Sequence, residues 1–541
     1  MFMKNKRLQG MTVIIAMVVL TILPCYFATL GLKAFSAKGA YWMSWDPDYA
    51  YFIGGVNQAC DIGYSGYYDH PGMGLKYLIA GVIRIAHPFM SADTLRLTAL
   101  ANSELYMYAT NVVMLLLLAV LTWLTAVALL RTTGSIVVAI SAQIGPLLYF
   151  KHYIAYSQKI AAEILLIVFA QALCLVCVNV LTNKDQQHTW RYALMSAIIC
   201  ALAVSTKMNF APLLIIPCFM LPRLRWKVFY VVSCVVLICI FCAQIPSRFL
   251  STVLIRLVSS GNHARGPIEV ALPMMLTSLK AWIRSDMPFF AVLVASGAAA
   301  MIGTLSALFS SRVRDSRAWL ILLGVWLGAT LQVICVARNG ASYYMMPAFG
   351  LCGLLLALSA VVLRSLPWGR IMPKILSYGL IAGIIYFGLV SNIGAIKKTR
   401  AVPPVRYMRL TEFYRRMLND PSYDAVIISK VTSHLHSLFE GERTWPYPNT
   451  RAIDMLYPRV YFYKSWIKKP RQFLKNGKLW TAEEILGRHN KVLFITRKDE
   501  LFEFRPDQMD IVATSSEKEV AYLFKPIQTD NAAQKDATSQ I

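Results

Sequence analysis

Long apolar runs separated by short polar intervals fill the chain up to about residue 396. The first, Met11 to Leu32, follows a basic start, Met1-Phe-Met-Lys-Asn-Lys-Arg7. It is too long for the apolar core of a signal peptide, and no small-residue cleavage site follows it. It therefore predicts a spanning helix. Further runs at 105–130, 134–150, 160–181, 192–206, 208–222, 228–245, 289–310, 318–336, 344–363 and 375–394 bring the expected number of spans to about eleven. Several fall short of the roughly 20 residues a perpendicular helix needs. The two that meet at Lys207 read as half-spans, an arrangement tolerated where the backbone lines a cavity.

From Lys397 the pattern changes. Tyr423-Asp-Ala-Val-Ile-Ile-Ser429, Lys491-Val-Leu-Phe-Ile-Thr496, Asp510-Ile-Val-Ala-Thr514 and Val520-Ala-Tyr-Leu-Phe524 read as strands. Thr481–Gly487 reads as a short helix with a Thr N-cap and acids in its first turn. The expectation is a membrane domain over 1–396, with a first outer loop at 33–104, and a small soluble α/β domain over 397–541. Thr529 to Ile541 is expected to be a disordered polar tail.

Composition sharpens the division. The chain is 57% hydrophobic and 15% charged, against about 25% charged in soluble domains. Residues up to Ile396 hold 29 Lys/Arg and 11 Asp/Glu; the remaining 145 hold 25 and 17. A net charge of +26 would suit nucleic acid, but in a membrane chain it points to anionic lipid instead. Positive charge falls at alternate ends of the runs, at Lys4/Lys6/Arg7, Arg131, Lys184/Arg191, Arg223/Arg225/Lys227, Arg312/Arg314/Arg317 and Arg364/Arg370/Lys374. These loops are expected in the cytoplasm, which places the soluble domain on the opposite, outer face. Ten of the eleven cysteines lie in apolar runs. Cys174-x-x-Cys177 has no second pair to complete a metal site and reads as two small apolar side chains.

Six of the 11 acids in the membrane part lie between Asp46 and Glu104. They include Trp45-Asp46-Pro47-Asp48-Tyr49 and Tyr67-Tyr68-Asp69-His70-Pro71-Gly72-Met73-Gly74. Carboxylates beside a bilayer are costly unless they have partners or a task. On residue type alone they fit equally a helix N-cap and turn, or two clusters that converge when the loop folds back.

The second segment resembles the Tyr-Phe-Asp/Glu-His/Lys-Pro-Pro-Met signature of GT-C glycosyltransferases, the protein O-mannosyltransferase and lipid A aminoarabinose transferase type. Asp46-Pro-Asp-Tyr is similar to their first-loop Asp-Glu-Ala-Tyr. Ala201-Leu-Ala-Val-Ser-Thr-Lys207-Met-Asn-Phe-Ala-Pro212 resembles their Leu-Thr-Lys-Gly-Pro segment, and Arg338-Asn-Gly-Ala-Ser-Tyr343-Tyr344-Met-Met-Pro347 their His-Tyr-Leu-Leu-Pro segment. Tyr153 to Glu163 is weakly similar to an Arg-x-x-x-acid patch. Together these cover essentially the whole membrane part. Two departures stand out. Pro47 replaces the second acid, so that Asp48 is its substitute, and Gly72 replaces the second proline of the turn.

The resemblance implies a GT-C-like polytopic membrane enzyme of the inner or plasma membrane, with a cytoplasmic N-terminus. It would transfer a sugar from a polyprenyl-phosphate donor, with inversion, to a lipid, glycolipid, glycan or protein acceptor on the outer face. Such a reaction passes through an oxocarbenium-like state and needs a carboxylate base for the acceptor hydroxyl. Asp46 is the candidate, with Asp48 in reserve and Asp69 beside them. The leaving phosphate needs fixed cations, for which Lys207, Arg338, Lys76 and Arg84 are the candidates. Lys207 could equally snorkel to the interface. Tyr68, His70, Tyr343, Tyr344 and Glu163 are candidate substrate contacts, with Lys159 the expected partner of Glu163 four residues on. No cofactor is required; Asp69 and His70 could hold a divalent cation, but two ligands do not make a site. The rival functions are a transporter or flippase for lipid-linked sugars, which should show interrupted helices in paired positions, and a polysaccharide polymerase or ligase.

Overall fold

The computed structural model describes residues 6–38, 48–62, 72–182, 189–245, 268–337, 340–369, 371–401, 405–428, 438, 449–463, 472–476, 478–497, 509–515 and 519–525. Among them, eight helices are long and apolar enough to cross a membrane: Ile14–Ser36, Ser103–Thr133, Ala162–Thr182, Thr189–Thr206, Leu224–Cys242, Met287–Phe309, Ala318–Ala337 and Met372–Ala401. A ninth is bent by 46°, where Ser342–Phe349 meets Cys352–Ser365. Leu224–Cys242 buries only Tyr230, Cys234 and Cys242, leaving Val and Ile side chains on the outside, as suits a lipid-facing helix.

Eleven uninterrupted spans are therefore not found among the described residues. The 134–150 run breaks into Ile136–Ser141, Gly145–Leu148 and, beyond it, Phe150–Ser157. Pro146, in the first turn of Gly145–Leu148, lacks the N–H that would continue the preceding helix. Side-chain amides meet two of the freed carbonyls. Asn392 Nδ2 donates to Leu147 O at 2.9 Å and Asn111 Nδ2 to Ser157 O at 3.1 Å. Gln143 and Tyr153 in turn donate to Leu20 O and Phe27 O of the first helix, each at 2.7 Å. The broken segment thus runs alongside that helix in the same direction. The 208–222 run is likewise broken. It forms a 3₁₀ turn, Met208–Ile215, containing Pro212, then Ile216–Met220. Thr189–Thr206 is full length, so the expected pair of half-spans is one span and one short segment, with Lys207 extended between them (φ −158°).

Among the described residues of the 33–104 segment are three helices, Asp48–Ala59, Met73–Ala86 and Ala92–Ala101. A further helix, Ile268–Ser285, lies where the sequence suggested only loop. Cys174 and Cys177 are buried and unbridged.

The C-terminal part is a seven-stranded mixed sheet. Its strands are β1 Ala425–Ile428, β2 Val460–Tyr463, β3 Gln472–Lys475, β4 Lys478–Thr481, β5 Val492–Arg497, β6 Met509–Thr514 and β7 Glu519–Phe524. The order is β4-β3-β2-β1-β5-β7-β6, with β1 parallel to both β2 and β5. β1 is buried at every residue, as a central strand covered on both faces should be. The helix Ala482–Leu486 opens with the expected cap. Thr481 Oγ1 accepts from Glu484 N and the Glu484 carboxylate accepts from Thr481 N. Asn449 Nδ2 donates to Asn57 Oδ1 at 2.8 Å, both residues fully buried. The sheet domain is thereby fastened to the helix Asp48–Ala59. The tail from Thr529 lies outside the described residues.

Candidate functional site

The glycines of the second loop motif explain its placement. Gly72 N donates to Thr206 O at 2.9 Å and Gly74 N to Thr206 Oγ1 at 3.1 Å. Two amides of the loop thus cap the end of Thr189–Thr206. Gly72 has φ +60°, and a Cβ there would meet the Tyr51 ring at 2.3 Å. At Gly74 a Cβ would lie 2.2 Å from Thr206 Oγ1. Only glycine permits this approach at both positions. Gly72, where the resembling family has proline, is therefore a docking residue.

The next residue after Thr206 is Lys207, only 6% exposed. Its ammonium donates to the carboxylate of Glu163, itself 6% exposed. It also lies 4.9 Å from the centre of the Tyr344 ring and 5.7 Å from that of Tyr343. It does not snorkel, and Glu163 takes Lys207 as its partner. Lys159, whose charge also acts on Glu163, stands over the Tyr156 ring at 5.0 Å, and that ring is 5.7 Å from Tyr343. Asn209 Nδ2 and Gln332 Nε2 both donate to Tyr344 O at 2.9 Å, fixing the turn that carries the two tyrosines. Lys207, Glu163, Tyr343 and Tyr344 are thus brought together, with the Gly72–Gly74 turn one residue from the lysine.

Lys76, one turn along Met73–Ala86, is fully buried, and burial pushes its ammonium down to about 7. Arg84 points elsewhere. Its guanidinium faces Asp61 at 3.5 Å and Met90 O at 3.2 Å, eight residues and so roughly 12 Å along the helix from Lys76. Asp48 opens its helix; Asp46, Tyr68, Asp69, His70 and Arg338 lie outside the described residues. Among the described residues no three His, Cys, Asp or Glu are grouped to hold a metal ion.

Sequence reading missed Asn209, Gln332 and the pair His152–Asp286. Gln332 had a usable signal, because an amide within an apolar span must find a partner. A separate cavity of about 570 Å³ opens between the start of Ser103–Thr133 and the sheet domain, and Glu104, Arg415, Tyr457 and Asn419 are in its lining.

No protein-family model matches the chain, and no curated protein matches it. Solved structures do. The chain is similar to apo ArnT from Cupriavidus metallidurans at 12% identity and TM-score 0.48, over 94% of this chain and 97% of that one. For the same protein bound to undecaprenyl phosphate the figures are 12%, 0.46, 95% and 98%. An Archaeoglobus fulgidus oligosaccharyltransferase, tethered with an acceptor peptide containing the NVT sequon, is similar at 13% identity and TM-score 0.38, over 89% of this chain and 69% of that one.

Proposed function

We propose that the chain is a membrane glycosyltransferase that moves a sugar from a polyprenyl-phosphate donor to an acceptor on the outer face, with inversion. One observation carries the reading. Three segments singled out by their resemblance to GT-C motifs, around Gly72, Lys207 and Tyr343, meet at one buried cluster although they are separated by 130 residues or more.

The chemistry asks two things of this cluster. The acceptor oxygen bonds to the anomeric carbon as the carbon–oxygen bond to phosphate breaks, and the acceptor proton passes to a carboxylate. Asp46 takes that role in this reading, with Asp48 its reserve and Asp69 a further carboxylate candidate from the same loop. The phosphate leaves with the electron pair and needs cations in a site sheltered from water. Lys207 and Lys159 beside the tyrosine shelf, buried Lys76, and Arg338 four residues before Ser342 are the groups we assign to it. Lys207 shares its charge with Glu163, so its part is to aim N–H donors, while the net positive charge comes from Lys159 and Arg338 and from Lys76 only when it is protonated.

The orientation belongs to the same reading. Counting the interrupted segments 136–157, 208–220 and 342–365 as crossings gives an odd number, which sets the two chain ends on opposite faces. The basic loops at Arg131, Arg223–Lys227 and Arg312–Arg317 support a cytoplasmic N-terminus.

Mass spectrometry of envelope glycolipids and glycans, with and without the protein, tests the proposal. One sugar should be missing in its absence and restored by the purified chain with a polyprenyl-phosphate donor. Interrupted helices also suit a transporter of lipid-linked sugars. That reading would be favoured by movement of the intact lipid-linked sugar across vesicles with no new glycosidic bond.

A further inference from the structure

Behind the tyrosine shelf, three polar side chains from distant parts of the chain meet. His152 comes from Phe150–Ser157, Asp286 precedes Met287–Phe309, and Ser342 opens the 3₁₀ turn Ser342–Met345. His152 Nε2 lies 3.1 Å from Asp286 Oδ1 and 3.4 Å from Ser342 Oγ. Ser285 Oγ donates to the second Asp286 oxygen at 2.6 Å. The Asp286 side chain is only 5% exposed. The imidazole stacks on Phe349 at 5.1 Å, and Phe349 meets Phe289 edge-on at 4.8 Å. Burying a carboxylate is costly unless its oxygens are met, and here His152 and Ser285 meet both.

What this cluster holds is the turn. Ser342 is followed directly by Tyr343 and Tyr344, whose rings stand over the Lys207 ammonium. Asn209 and Gln332 grip the Tyr344 carbonyl, while His152 reaches Ser342. The turn is therefore held at two points by groups that do not themselves stack on the ammonium. Moving Ser342 moves both rings.

We infer that His152 and Asp286 are positioning residues for the Lys207 centre, fixing the Ser342–Met345 turn so that Tyr343 and Tyr344 stay over the ammonium. Asp286 orients the imidazole, and the imidazole sets the position of Ser342. The inference rests on the donor-phosphate reading of that centre.

The test uses the purified full chain in lipid nanodiscs, with undecaprenyl phosphate as the probe of the donor site. The wild-type chain should bind it. His152→Ala should weaken binding on the order of tenfold to a hundredfold, the loss expected when a charge-assisted contact to the phosphate is no longer made. His152→Gln, whose amide can replace the Nε2 donor, should recover most of the loss. Ser342→Ala should act in the same direction with a smaller effect. It also decides the matter if His152→Ala does not insert, since it removes a single hydroxyl. Unchanged affinity in Ser342→Ala and His152→Ala overturns the inference, as does a lowered melting temperature with normal affinity in the folded fraction. Wild-type protein that does not bind the probe defeats the donor-site reading itself, and that result is seen before any variant is made.

Discussion

The Lys207 ammonium donates to the Glu163 carboxylate inside the helix bundle, and this pair ties the end of Thr189–Thr206 to the first turn of Ala162–Thr182. A buried ion pair has two separable consequences. It holds the fold, because either partner left alone is a buried unpaired charge, and it aims the remaining N–H bonds of the lysine.

The two consequences can be measured apart. Lys207→Met and Glu163→Gln should each destabilise the protein by about 3–5 kcal/mol, read as lower thermal unfolding temperatures in detergent. The double variant should recover most of that stability while transfer stays lost. Recovery of transfer along with stability would show that the pair is scaffolding and remove Lys207 from the donor site.

Gly74→Ala should impair transfer, because its methyl would lie 2.2 Å from Thr206 Oγ1. The first loop would have to lift from the helix end it caps. Adding Thr206→Ala removes the obstructing oxygen and should restore part of the rate, although the Gly74 N–H bond is lost. If Gly74→Ala alone works normally, the docking of loop on helix has no bearing on turnover.

Asp46→Asn keeps the size of the side chain but cannot take a proton. Folded, normally inserted protein should result, with transfer lower by ~10²–10⁴-fold, the usual contribution of a positioned base. Asp48→Asn should do less, unless Pro47 shifts the reactive position by two residues. Wild-type rates in both variants would make the loop structural and bring the transporter reading forward.

A cysteine at exposed Ser422 reports the side on which the sheet domain sits. Ser422→Cys should react with a membrane-impermeant maleimide in intact spheroplasts. Labelling only after lysis would reverse the orientation and remove the outer-face acceptor from the proposal.

The sequence was most legible where one local pattern decides. β1, β5, β6 and β7 were recognisable as apolar runs, and Thr481 with Glu484 as a capping box. β2, β3 and β4 were not, and β3 and β4 carry Lys475 and Lys478 at the turn between them. The breaks at Pro146 and Pro212 were masked by uniformly apolar neighbours, since hydropathy measures affinity for lipid and is blind to whether the helix continues. Within the candidate site, Lys207 and the tyrosines were visible through motif resemblance. His152 with Asp286, and Glu163 with Lys207, were not, because their pairing is made by the fold across 134 and 44 positions and leaves no local trace.

The Asn57–Asn449 hydrogen bond joins residues 392 positions apart, and so sets a timetable. The ribosome delivers the first outer loop early and its partner in the sheet domain near the end. At synthesis rates of ~5–20 residues per second the loop waits roughly 20–80 s for that partner. Throughout that interval Asn57 Oδ1 lacks the Asn449 Nδ2 donor. The contact that fastens the acid-bearing loop to the sheet domain can therefore form only after synthesis has passed Asn449, long after the loop has met the end of Thr189–Thr206.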